Sequence, residues 1–180
     1  MTVSGKKLFD ARGAVVQSAR DIVASSNTGF FRHPKDCADL AGYCMEHGIG
    51  QDSQYDCMGL CIAAIASAHG RGFRDWNPVY RRVGSLRKGN GDLGGTIRDP
   101  DSSIGPGDIV LFVSDYEAER PSHAALAVGA AAVDSSGCAV DIIEIDQTGA
   151  HELRGQDLET GLTTYVPLSA VLRYCLMHPE

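Results

Sequence analysis

Hydrophobic positions change rhythm twice along this chain. Over residues 7–24, Leu8, Ala11, Val15, Ala19, Ile22 and Val23 recur at helical spacing with Arg12, Gln17, Arg20 and Asp21 between them, which predicts an amphipathic helix. Ser25-Ser26-Asn27-Thr28-Gly29 supplies stop and turn residues. A weaker helical pattern covers residues 36–47, where Cys37, Leu40, Ala41 and Cys44 share a face. Residues 60–68 are apolar nearly all round, as in a centrally buried helix. Residues 71–107 are rich in Gly, Pro, Asp and Arg and read as a long loop, which in a compact domain is usually functional or mobile.

The last third reads as strands. Residues 108–113 form a short apolar run after the turn Gly105-Pro106-Gly107, and residues 123–128 form a second. Residues 140–146 alternate apolar and acidic positions, and residues 172–177 are a fourth candidate strand. Residues 130–137 read as the connection between the second and third. Helices followed by an antiparallel sheet give the class α+β, and the 180 residues suit one domain, 1–180.

Composition then removes several functions. With 43% hydrophobic and 22% charged residues the chain is ordinary for a globular protein. Sixteen basic against twenty-three acidic residues leave a formal charge of −7, the wrong sign for a non-specific nucleic-acid binder, so no nucleic-acid partner is expected. No apolar run is long enough for a membrane span. The first residues lack the apolar core of a signal peptide, so a cytoplasmic place, or delivery by phage or secretion machinery, is expected. Six cysteines without an export signal are expected as free thiols, mostly small buried hydrophobes. Cys37, Cys44 and His47 make too short a cluster for zinc, lacking a fourth ligand, and neither metal nor other cofactor is expected.

One cysteine stands apart. Cys57 lies at the start of the buried helix, after Asp56 and before Gly59, where orphan N–H groups and the helix dipole favour a thiolate, the form that attacks carbonyl carbon. Its alternative, a buried structural thiol, fits Cys61 one turn later far better. A cysteine nucleophile needs a base. Of His33, His47, His69, His123, His151 and His178, only His123 opens a strand, which would hold it rigidly at the edge of the sheet. His33, His47, His69 and His178 fall in loops or at ends and read as solvated, while His151 stays open as a second candidate. The base in turn needs an acceptor on its far nitrogen. Glu144, Asp146 and Gln147 are available on the next strand, and Asp146, near the strand end, is the preferred one. The other reading of these acids is the solvated face of an edge strand.

These residues resemble a family. Tyr55-Asp56-Cys57-Met58-Gly59-Leu60 is similar to the [YF]-D-C-S-G-L nucleophile motif of NlpC/P60 cysteine peptidases. Gly107-Asp108-Ile109-Val110-Leu111-Phe112 resembles their G-D-[LI]-V-x-F strand, and Ser122-His123-Ala124-Ala125-Leu126-Ala127-Val128-Gly129 resembles their histidine strand. The resemblance implies a papain-like fold, with N-terminal helices packed on a central antiparallel sheet. It also implies hydrolysis of amide bonds in bacterial cell-wall (peptidoglycan) stem peptides. Carried over by position, Cys57 is the nucleophile, His123 the base and Asp146 the third residue, with Tyr55, Asp56, Met58 and Gly59 beside the substrate. Met58 stands where the family has Ser, so any role of that hydroxyl near the substrate is lost, and Ala125 and Ala127 stand where it has Gly and Tyr, substitutions expected to reshape the cleft wall.

Three functions follow. The first is hydrolysis through a thioester, with the oxyanion held by backbone N–H groups near Cys57. The second keeps the Cys–His pair and passes the acyl group to an amine or lipid. The third is an inactive binding or assembly module, favoured by Met58 and the two alanines. Arg81, Arg82, Arg87 and Lys88 read either as a solvated loop or as recognition of a substrate carboxylate.

Overall fold

The expected first helix is present. A computed structural model describes residues 5–25, 28–30, 54–70, 97–112, 123–159 and 162–177. Helix α1 spans Gly5–Ala24 and buries Val15, Val16 and Ala19. Strands β1 (Gly29–Phe30) and β2 (Gln54–Tyr55) form a small parallel pair leading into helix α2, Cys57–Ala68. Six strands follow: β3 Ile109–Phe112, β4 His123–Ala127, β5 Ala132–Asp134, β6 Gly137–Asp146, β7 Gly149–Asp157 and β8 Thr163–Val166. Helix α3, Leu168–Met177, ends the described chain. The class is α+β.

Helix α2 is the centre. Every residue from Cys57 to Ala66 is buried, with Leu60, Ile62 and Ile65 fully so. One side of it meets α1 and the other meets β4 and β6. Full burial of a Leu or Ile side chain is worth about 1.5–3 kcal/mol, so this helix is held by packing on all sides. Among the described residues, no helix is long and apolar enough to cross a membrane.

The sheet runs β5-β6-β4-β3-β8, with β7 on the other edge of β6, and every pairing in it is antiparallel. Alternation along the strands divides the core in two. Ile109, Leu111, Ala124, Leu126, Ile143 and Ile145 join the cluster around α2. Val110, Ala125, Ala127, Val140, Ile142 and Tyr165 form a second cluster on the opposite face.

Asp108 ties helices to sheet. Its carboxylate is 1% exposed and accepts from the Arg12 guanidinium (3.0 Å), the Gly105 N–H (2.9 Å) and the Leu168 N–H (2.8 Å), where it caps α3. Burial, the largest influence, pushes its carboxyl pKa up, against the pull of these bonds and of Arg12. Gly107 precedes it at φ +86, and an added Cβ would lie 3.0 Å from Leu168 Cδ2. The Gly-Asp pair of the strand motif is therefore architectural.

Two expectations are corrected. Residues 172–177 are not a strand but the last turns of α3, whose first turn buries Leu168, Ala170 and Val171 against the core. Residues 130–137 are more than a connection, since 132–134 pair with β6 as β5. The sequence reading also missed β7 and β8. β7 is largely exposed and lacks an apolar face, so its periodicity is weak. The helical pattern at 36–47 and residues 71–96 of the long loop, with Arg81, Arg82, Arg87 and Lys88, lie outside the described residues. The described end of that loop bridges Arg98 to Tyr165 of β8.

Candidate active site

Cys57 is the first residue of α2, and Asp56 is its N-cap. Asp56 sits in extended backbone (φ −87, ψ 175), and its side chain accepts the N–H of Gly59 at 2.6 Å. Its carbonyl accepts from Leu60 N–H at 3.0 Å, the first turn's own bond. The cap fixes where the helix begins, and hence where the sulfur stands. Cys61, one turn on, donates its thiol to the Cys57 carbonyl at 3.3 Å. Burial, first, and the nearby Cys57 and Asp56 push its pKa well up, so it is an inert core thiol.

His123 is the first residue of β4 and stands opposite Phe112 of β3, with ring centroids 6.1 Å apart. Its imidazole is hydrogen-bonded to the side chain of Cys57 and to that of Glu144. The Glu144 contact joins Nε2 to Oε2 at 2.6 Å. An ionised carboxylate only accepts, so Nε2 carries the hydrogen and Nδ1 is left for the sulfur. Burial is the largest influence on His123 and lowers its pKa. The hydrogen bonds and charges of Cys57 and Glu144 together outweigh burial and raise it to about 9. The hydrogen bond from His123, with its charge and a second bond from His151, holds Glu144 below the usual carboxylate range, against burial.

The acceptor on His123 is thus Glu144, and the preference for Asp146 is corrected. Extending the β4–β6 register outward from Leu126↔Ile143 does bring Asp146 opposite His123. However, Asp146 is taken by its own hairpin, accepting from the Thr148 N–H at 2.7 Å and the Thr148 hydroxyl at 2.5 Å. Those bonds hold its carboxyl below the ordinary range. Glu144, on the same face and one methylene longer, reaches diagonally to the ring. His151, the other candidate base, bonds the second oxygen of that carboxylate, with Nε2 3.0 Å from Oε1.

The residues expected beside a substrate separate. Met58 is fully buried in the main cluster, so its side chain offers nothing to a ligand. Gly59 is buried with its N–H bound to Asp56, and Asp56, 1% exposed, acts on the helix. Tyr55 is partly exposed and packs against the main cluster, burial raising its pKa. Ala125 and Ala127 lie in the second cluster, on the sheet face away from α2, and do not shape the surroundings of Cys57. His69 is not simply solvated, since its Nδ1 meets the Ile65 carbonyl at 2.7 Å where α2 ends.

Cys57, Cys61 and Cys138 are free thiols. Cys37 and Cys44, with His33 and His47, lie outside the described residues, as do the side chain of Cys175 and all of His178. Among the described residues, Glu144, Asp146 and His151 each place a donor atom within 4.8 Å of the others, the one grouping there that could receive a cation. The groups they bind are one another, His123 and Thr148.

The arrangement has what acyl transfer through sulfur requires: a thiol at a helix start, an imidazole bonded to it, and a carboxylate behind the imidazole. No protein-family model matches the chain, and no curated protein matches it.

Proposed function

We propose that this protein is a cysteine amidase or endopeptidase of NlpC/P60 type on a papain-like fold, cutting amide bonds in cell-wall stem peptides. The observation that carries the chemistry is His123, bonded on one side to Cys57 and on the other to Glu144, with its pKa raised to about 9. An imidazole of that basicity is protonated at neutral pH and holds a proton ready for a departing amine. The substrate class rests on the resemblance of the three motifs around Cys57, Asp108 and His123.

The Cys57 sulfur attacks the amide carbonyl, and the oxyanion is received by backbone N–H groups at the start of α2. Collapse breaks the C–N bond, and His123 gives its proton to the departing amine, leaving a thioester on Cys57. Neutral His123 then takes a proton from water as the water oxygen attacks the thioester. The carboxylic product leaves, and Cys57 and His123 return to their starting pair. Glu144 supports the imidazolium throughout without accepting its proton.

Met58 is fully buried beside Cys57 in the main cluster, and the two alanines lie in the second cluster on the far face of the sheet, so neither departure by itself argues for an inactive module. The test is incubation of the protein and its Cys57→Ala variant with purified cell-wall fragments, reading new amino termini by mass spectrometry. New termini with the parent alone are expected, and equal product from both rejects Cys57 as nucleophile. Products carrying an added amine in place of water would redirect the reading to acyl transfer. In parallel, iodoacetamide near neutral pH is expected to label Cys57 much faster than Cys61 or Cys138.

A further inference from the structure

One histidine in the network does not touch the sulfur, and its place is fixed by register. His151 of β7 is the direct cross-strand partner of Glu144 on β6. The register is set by a two-residue turn in which Asp146 pairs with Gly149 and accepts from both Thr148 groups. Gly149, at φ +120, takes a backbone conformation that L side chains rarely adopt. Farther along, Arg20 of α1 clamps β7 through both oxygens of Glu152, at 3.0 and 2.9 Å.

The Glu144 carboxylate is consequently held at both oxygens, Oε2 by His123 at 2.6 Å and Oε1 by His151 at 3.0 Å. A carboxylate with one partner turns about its last side-chain bond, whereas two donors from different strands fix its plane. The pair is 13–30% exposed, so the second donor also spares Oε1 much of the need for water. The other titratable groups acting on His123 and His151 are Cys57 from α2 and Asp146 from β6.

We infer that His151 is a positioning residue, which holds the second oxygen of Glu144 and so orients the carboxylate that supports His123. This deepens the proposed peptidase reading and, as a statement about catalysis, rests on it. His151 itself touches neither sulfur nor substrate in this role. Its action passes through Glu144, so its effect must vanish when Glu144 can no longer act as a charged acceptor.

The test follows the His123 imidazole by NMR titration in the full chain, needing neither substrate nor turnover. His151→Leu removes the donor at similar size, and His151→Gln keeps an N–H donor. The expected result is that H151L lowers the His123 pKa by about one unit from its value of about 9, that H151Q stays within a few tenths, and that H151L adds no shift in an E144Q background. An unchanged or raised pKa in H151L overturns the inference, as does an equal shift in the E144Q background. Dispersed amide spectra of each variant separate a lost contact from a lost fold. Should the cell-wall assay fail while the titration behaves as stated, the peptidase reading falls and the coupling of His151 to His123 stands.

Discussion

Glu144 Oε2 stands 2.6 Å from His123 Nε2, while Asp146, two residues along the same strand, turns its carboxylate into the hairpin that follows. The two acids share a face and differ in task. Glu144→Gln keeps the shape and removes the charge that supports the imidazolium, so it is expected to lower kcat on cell-wall fragments by about 10²-fold or more. Asp146→Asn leaves that charge in place and is expected to stay within about threefold, since its bonds serve a turn. Steady-state kinetics of both variants checks the assignment, and the opposite ranking would return Asp146 to the central role.

The pH dependence has a fixed sign. His123 keeps its proton up to about 9 because Cys57 and Glu144 outweigh the opposing effect of burial. In the proposed mechanism protonated His123 is the acid for the leaving amine, so kcat/KM is expected to hold through neutral pH and fall as pH rises through about 9. In Glu144→Gln one of the raising partners loses its charge, and the falling limb is expected at lower pH. A falling limb unmoved by that substitution would detach Glu144 from His123.

Asp56 caps the helix that presents the sulfur, accepting from Gly59 N–H at 2.6 Å. Asp56→Ala is expected to cost about 1–2 kcal/mol in urea unfolding and to slow iodoacetamide labelling of Cys57, whereas Asp56→Asn retains most of both. Equal effects of the two substitutions would argue that charge, not capping, is what Asp56 supplies.

Met58 stands where the NlpC/P60 motif that this segment resembles has Ser, and it is fully buried. Introducing that serine by Met58→Ser is therefore expected to damage stability, not improve catalysis. A cavity and an added hydroxyl in the core together cost about 3–5 kcal/mol, readable as a lower urea midpoint. A stable and more active Met58→Ser protein would show that the side chain reaches the substrate after all.

Asp108 joins α1, the start of β3 and the start of α3 through three bonds in a buried place. Asp108→Ala leaves Arg12, 18% exposed, without that carboxylate and uncaps α3, and is expected to lose about 3–5 kcal/mol. Gly107→Ala is expected to be destabilising as well, since φ is +86 and the new Cβ would press on Leu168 at 3.0 Å. Thermal unfolding checks both.

The sequence by itself determined the parts whose signal is local. The apolar run after Cys57 declared a buried helix, and the short apolar runs around Ile109 and His123 declared strands, because periodicity acts over a few neighbouring residues, while the capping role of Asp56 emerged only from the structure. It could not separate Glu144 from Asp146. That choice depends on how far β4 and β6 stay paired, on the reach of one extra methylene, and on a hairpin turn that claims the shorter acid. Nor could it find His151 as the partner of Glu144, since cross-strand register is set by the turn between β6 and β7 and leaves little mark in the pattern of β7. The motif positions held by Met58, Ala125 and Ala127 looked functional in one dimension and became core in three, where the fold decides which side chains reach solvent and which pack away from it.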